Sequence, residues 1–302
     1  MESNYDVLIV GGGPAGLAAA LSLGRARKRV LLCDSGARRN AKALQVHNFV
    51  TRDGTPVDEF RRTGREQLER YLSVEICDEH VETISGVCGA FEVHFSDRNV
   101  VARRVLLATG MVDELPNIEG FQALWGTSIF QCPYCHGWEV QDRRFGHLAS
   151  SVETLTFPHI LRAWSSDVVV FTNAAFAIPA DVRTRLEKAG IPIEERAITR
   201  LTSDGGHLTQ VEFKEGAPVP CEILFAHPKQ HQVSLVQALG LGLNPQGFVQ
   251  VDDMHRETST RGIHAAGDLT TPMQAAIAAA AAGTFTAAML NHALMLEGTT
   301  PA

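Results

Sequence analysis

The chain has no dense run of lysine or arginine, and its 27 basic residues against 34 acidic ones leave a formal net charge of −7. Nothing in that balance would hold a phosphate backbone, so nucleic acid is excluded as a principal partner, and the short basic stretch at residues 25–29 reads as a solvated helix end. Cysteine is scarce as well. Six in 302 residues cannot build a disulfide scaffold; they suit a reducing cytoplasm, where most are small buried hydrophobes. Long apolar runs are missing except at residues 275–296, a stretch rich in alanine but broken by Gly283, Thr284, Thr286, Asn291 and His292. It predicts a buried helix and no membrane span. Glu2 and Asp6 near the start do not read as a basic leader, so none is expected. The expected location is cytoplasmic.

What is present begins with enough apolar residues, 45% of the chain, to build about two domains of ordinary size. Mid-chain stands Cys132-Pro133-Tyr134-Cys135-His136. A vicinal Cys-X-X-Cys closes a disulfide with little loop entropy lost, and the proline limits backbone freedom between the thiols, so the pair can cycle between oxidised and reduced forms. Two other chemistries use this spacing. Attachment of a c-type haem belongs to exported chains, and zinc needs a second ligand pair, whereas Cys33, Cys77, Cys88 and Cys221 are scattered. His227 and His231 also stand four apart, but Pro228 breaks the helix that would put both on one face, so no metal is expected there.

The N-terminal segment predicts a strand at Tyr5–Val10, then Gly11-Gly12-Gly13-Pro14-Ala15-Gly16, then a helix over residues 17–27. That is GxGxxG in a strand–turn–helix setting. Gly11 permits the tight turn, Gly13 the approach of backbone to a pyrophosphate, and Gly16 the packing of helix on strand. A second strand over residues 29–33 ends at Asp34, whose carboxylate can accept hydrogen bonds from ribose hydroxyls. Further strands are expected at residues 91–95, 100–107 and 262–266, the second ending in Ala108-Thr109-Gly110 and the last in Gly267-Asp268.

The motifs at residues 11–17, 106–110 and 262–268, with the Cys-X-X-Cys between them, resemble the low-molecular-weight thioredoxin reductase flavoproteins along nearly the whole chain. The resemblance implies an α/β protein of two Rossmann-like three-layer domains. A discontinuous FAD domain would comprise residues 1–115 and 243–302, and an inserted, degenerate nucleotide-binding domain residues 116–242 would carry the dithiol. It further implies that Gly11, Gly13, Pro14, Ala15, Gly16, Asp34, Asn48 (in His47-Asn48-Phe49), Ala108, Thr109, Gly110, Gly267, Asp268, Met273, Gln274 and Ala275 hold FAD. Cys135 would be the thiol nearest the flavin, and the chain would act as a homodimer.

One departure from that family directs the functional expectation. The place of its second glycine fingerprint reads Phe145-Gly146-His147-Leu148-Ala149-Ser150-Ser151-Val152-Glu153, and the strand after it ends in Thr172-Asn173-Ala174-Ala175, without arginines for a 2′-phosphate. NADPH binding is therefore not expected, although the fold can persist without the ligand loop. The variant Cys-Pro-Tyr-Cys-His-Gly-Trp-Glu resembles that of small-molecule dithiol oxidases acting on gliotoxin-, holomycin- and romidepsin-type products. The implied reaction runs from a small-molecule dithiol through Cys132 and Cys135 and FAD to dioxygen, giving hydrogen peroxide. A substrate thiolate would attack Cys132, and His136 is the candidate base or, alternatively, a loop-fixing side chain. Glu139 is a proton-relay candidate, and Trp138 would pack beside the flavin or line the cleft. A reductase fed by ferredoxin or NADPH, and a flavin-bound redox sensor without turnover, stay open.

Overall fold

The computed structural model describes residues 4–297. The chain folds as two compact units, residues 1–113 with 230–302 and residues 114–229. The first unit is built on a seven-stranded sheet. Strand Tyr5–Val10 lies between Val30–Cys33 and Asn99–Leu107, all parallel, with Val74–Cys77 beyond Val30–Cys33. Ile263–Ala265 runs parallel to the end of Asn99–Leu107, whose first half instead pairs antiparallel with Ala90–His94, and that strand pairs with Thr83–Val87.

Because successive side chains of a strand point to opposite faces, the sheet divides its apolar residues between two cores. Leu8, Val10, Leu31 and Cys33 enter one, while Val7, Ile9, Val30 and Leu32 enter the other. The second core is closed by helices Pro14–Arg25 and Ala276–Leu296, which approach so closely that a Cβ on Gly283 would stand 2.0 Å from the carbonyl oxygen of Ala15. The long helix differs from its sequence-based expectation. Ala279, Gly283, Thr286, Ala287, Leu290 and Leu294 are buried, but a stripe including Ile277, Phe285 and Met295 is exposed. Its length and composition alone would suit a membrane span; its packing on Pro14–Arg25 makes it a layer of this unit.

The second unit repeats the theme with a five-stranded parallel sheet in the order Ile129–Phe130, Ile223–Ala226, Phe145–Leu148, Val168–Phe171, Ile193–Glu194. The central strands are buried at every position, as expected where both faces are covered. An antiparallel sheet of Ile198–Asp204, His207–Phe213 and Val219–Pro220 accompanies it. The return to the first unit falls at Gln230, earlier than the expected residue 243. Leu235 and Val236, on helix Ser234–Ala238, pack into the first unit's core, and Gln232 donates to the carbonyls of Gly247 and Leu269.

Candidate active site

The turn after Tyr5–Val10 is shaped by close approach. Gly11 has φ of 110°, and a Cβ there would lie 2.3 Å from the Ala108 carbonyl oxygen; a Cβ on Gly16 would lie 1.8 Å from that of Gly11. Those two positions serve the backbone. Gly13 is different, because a Cβ there would meet nothing within 4 Å, so the loop faces open space at that point. Pro14 opens helix Pro14–Arg25 with no side-chain cap at Gly13, leaving the first N–H groups of the helix facing the loop as an anion cradle. Pro14 itself contributes a fixed φ at the first helical position, where its missing N–H costs nothing.

Around that cradle the structure gathers most of the expected residues. Asp34 is 7% exposed, and its carboxylate accepts from the backbone N–H of Gly36 at 3.1 Å and from Arg61. Gly12 approaches it so closely that a Cβ would stand 2.3 Å from Asp34 Oδ2. Thr109 follows Ala108 at the strand end with Oγ1 buried and without a hydrogen-bond partner in the structure, and Gly110 turns the chain at φ 67°. Gly267 adopts φ 92°, where a Cβ would lie 3.0 Å from that of Ala15, and Asp268 begins a short 3-10 turn. Burial raises the Asp268 pKa while Arg39 opposes the rise. Ala275 caps the long helix in extended conformation, and Met273 is exposed. Asn48 belongs to a separate ribbon of Gln45–Val46 with Thr55–Pro56; its φ is 57°, and its backbone N–H donates to Asp53.

The dithiol lies on the second unit. Cys132 is extended and caps the four-residue helix Pro133–His136, placing Cys135 one turn on, with the two sulfurs 2.7 Å apart. A hydrogen bond from the Cys135 thiol lowers the Cys132 pKa to about 7; burial works against it, and the backbone N–H groups of Cys135 and Tyr134 add to the lowering. Cys132 is therefore the thiol of the pair that this environment disposes to ionise. His136 stacks on Phe130 with ring centroids 4.5 Å apart and planes inclined by 14°. That stacking fixes the ring's plane. Trp138 is 72% and Tyr134 66% exposed, Tyr134 meeting Trp164 edge-on.

Where a second nucleotide loop would begin, strand Phe145–Leu148 runs into Ala149, which is buried, and a capping box between Ser151 and Thr154 closes the turn. The nearby glycine, Gly146, is committed to packing: a Cβ would stand 2.6 Å from Phe171 and 2.8 Å from the Cys221 sulfur. His147 is fully buried against Phe157 and His227. Among the described residues no group of three or more His, Cys, Asp or Glu side chains is placed to hold a metal.

Sequence reasoning missed Arg39, Asp113 and Gln230. Arg39 grips the Asp113 carboxylate through Nε and Nη2 at 2.7 and 2.8 Å and reaches Asp268 at 3.1 Å and Gln274 at 2.6 Å. No spacing links residues so far apart in the chain.

A discontinuous parallel-sheet unit with a glycine loop, a buried acid and a Gly-Asp turn, carrying an inserted unit with a vicinal dithiol, defines a thioredoxin reductase-like flavoprotein oxidoreductase. The chain belongs to the pyridine nucleotide-disulphide oxidoreductase family, whose model matches residues 5–283. It is 32% identical to the thioredoxin reductase tcpT of Claviceps purpurea over 87% of this chain and 86% of that one. Among solved structures it is similar to HlmI, at 35% identity over 98% of this chain and 94% of the other with a TM-score of 0.90. An oxidoreductase from Agrobacterium tumefaciens superposes with a TM-score of 0.91, at 33% identity over 97% and 99% of the two chains.

Proposed function

We propose that this disulfide oxidoreductase is an FAD-dependent dithiol oxidase, which closes a disulfide within a small-molecule dithiol and delivers the electrons to dioxygen as hydrogen peroxide. The observation that carries the reading is the second unit's strand end, where Gly146 is spent on packing, Ala149 is buried and His147 fills the interior. A pyrophosphate needs glycine there for close backbone approach, so in this reading NADPH is not the donor and electrons enter through thiols. The first unit offers what the second lacks. Gly13 opens on free space, Asp34 is a buried carboxylate, and the orphaned Thr109 hydroxyl fits a polar ligand group. These residues, with Asp268, would hold FAD. FAD, when bound, accepts two electrons from the dithiol and passes them to dioxygen.

The chain's own steps concern sulfur and protons. With Cys132 and Cys135 joined, a substrate thiolate attacks the Cys132 sulfur, breaking the bond to Cys135, which takes up a proton. The second substrate thiolate then attacks the substrate sulfur bonded to Cys132. The cyclic disulfide departs, and the substrate has lost two electrons and two protons to the enzyme. Cys132 leaves well in that step because its pKa is lowered to about 7 by the Cys135 hydrogen bond. His136, held flat against Phe130, is the proposed proton acceptor for the entering thiol, because an imidazole can take up and release a proton in the neutral range. The exposed stripe of the long helix, with Phe285 and Met295, is the face proposed for a second copy of the chain.

The naming of relatives such as tcpT as thioredoxin reductases favours a second reading, a reductase that runs electrons toward disulfides. Anaerobic absorbance separates the two. The oxidase reading expects dithiothreitol to bleach the flavin band, NADPH to leave it, and air to restore colour with peroxide formed. Prompt bleaching by NADPH overturns it in favour of the reductase.

A further inference from the structure

The chain leaves the first unit through strand Val112–Glu114 and comes back through Lys229–His231. Asp113 stands on the outgoing strand and Gln230 on the returning one, and a single largely shielded cation, Arg39, binds Asp113 directly and reaches Gln230 through Asp113 and Gln274. Arg39 holds both oxygens of Asp113, and through Nη1 it reaches Asp268 Oδ2 and Gln274 Oε1. Gln230 closes the circuit: its amide donates to Asp113 at 2.9 Å and exchanges hydrogen bonds with the Gln274 amide at 3.0 and 2.8 Å. Asp268 and Gln274 are two of the residues proposed above to hold FAD, so the inference rests on that reading.

We infer that Arg39 is a positioning residue for the cofactor, which sets the Asp268 carboxylate and the Gln274 amide and mechanically links them to the two crossing strands. The chemistry explains why an arginine is used. A guanidinium presents five donors in a rigid plane and can bond four acceptors in fixed directions, whereas an ammonium is a point charge on a flexible stem. Two carboxylates converge on this one cation, and the whole group is largely shielded: the Arg39 and Asp113 side chains are 21% and 8% exposed. Burial works to lower the Arg39 pKa, but Asp113 and Asp268 outweigh it and the net direction is upward. The cation is permanent, so the charge that orients these groups is present before any ligand arrives. Partners in one network share their energy, and a ligand that locks Asp268 and Gln274 will order Asp113 and Gln230.

The test titrates deflavinated protein with FAD and follows flavin fluorescence, for wild type, Arg39→Gln, Arg39→Lys and Gln230→Leu, alongside thermal unfolding of each protein without flavin. Arg39→Gln is expected to weaken FAD binding at least tenfold and Arg39→Lys to restore little of it, since the fork and not the charge alone does the positioning. Full restoration by lysine overturns the assignment. Gln230→Leu, which leaves all three charges in place, is expected to weaken binding a few fold with the flavin-free unfolding midpoint unchanged. It keeps the test decisive if Arg39→Gln does not fold. Hydrogen exchange supplies the second readout. FAD is expected to slow exchange in residues 112–114 and 229–231 of wild type and to do so much less in Gln230→Leu; equal slowing in both overturns the link. If wild type itself takes up no FAD, the cofactor reading fails, whereas equal uptake by all four proteins removes Arg39 alone.

Discussion

His147 makes the second unit acid-labile in a way that can be calculated. Its ring is fully buried between Phe157 and His227, with Nδ1 3.3 Å from the Phe225 carbonyl oxygen. Burial pushes its pKa down to about 3, and the neighbouring His227 pushes the same way. In the unfolded segment the ring returns to about 6.5. Between these values the unfolded form binds a proton that the folded form refuses, so the stability contributed by the neutral ring is complete above pH 6.5 and is lost as pH falls toward 3. At pH 5.5 the loss from this one residue is on the order of 1 kcal/mol, about tenfold in the opening equilibrium. Hydrogen exchange of strand Phe145–Leu148 measures it, expressed as protection factors so that the pH dependence of intrinsic exchange cancels. The control is His147→Asn, which keeps a donor for the Phe225 carbonyl but does not titrate. Between pH 7.5 and 5.5 wild type is expected to lose about tenfold more protection than the variant. Equal losses in the two proteins would refute the reasoning, because His227 and every other titrating group are common to both.

Other substitutions separate roles that static contacts leave superimposed. Cys132→Ser and Cys135→Ser are each expected to abolish turnover with dithiols while retaining the yellow cofactor, read by steady-state assay and flavin absorbance; turnover by either overturns the sulfur pathway. His136→Ala is expected to slow flavin reduction by dithiol in stopped flow with flavin content unchanged, and normal rates across neutral pH would remove it as the base. Gly283→Ala drives a methyl to within 2.0 Å of the Ala15 carbonyl oxygen, so a stability loss of about 1–3 kcal/mol is expected in thermal unfolding. Gly13→Ala meets nothing within 4 Å; its unfolding without flavin is expected to match wild type while FAD binding weakens. That pair distinguishes a packing glycine from a ligand-facing one.

The contrast between those two glycines also marks what sequence can convey. Strands at residues 5–10 and 99–107 were legible because apolar runs bounded by turn residues have few other solutions, and the glycine loop because its φ values and close approaches admit no side chain at Gly11 or Gly16. The dithiol was legible from its spacing alone. The partial exposure of the long helix was not, since its alanine-rich composition gives no apolar stripe to assign a face, and the structure buries only the side that meets Pro14–Arg25. Nor was the Arg39 circuit, whose members at 39, 113, 230, 268 and 274 are joined by topology. The return at Gln230 escaped for the same reason, because Leu235 and Val236 are apolar residues that either unit could have buried.

The same glycine logic underlies the functional argument, and it turns on where a missing Cβ is used. A nucleotide loop needs glycine for approach to a ligand, but a crowded strand needs it for approach to a neighbour, and only the three-dimensional packing distinguishes these demands. In the first unit Gly11 and Gly16 answer to backbone while Gly13 answers to open space, so one glycine is left over for a pyrophosphate. In the second unit Gly146 is claimed by Phe171, Cys221 and Leu224, all within 3 Å of its would-be Cβ, and none is left over before the turn at Ser151. Restoring glycines at Ala149 and Ser151 would therefore not by itself restore a nucleotide site. The buried His147 and the 2.8 Å hydrogen bond from Thr154 Oγ1 to the carbonyl of residue 151 would still hold the strand end in its closed form.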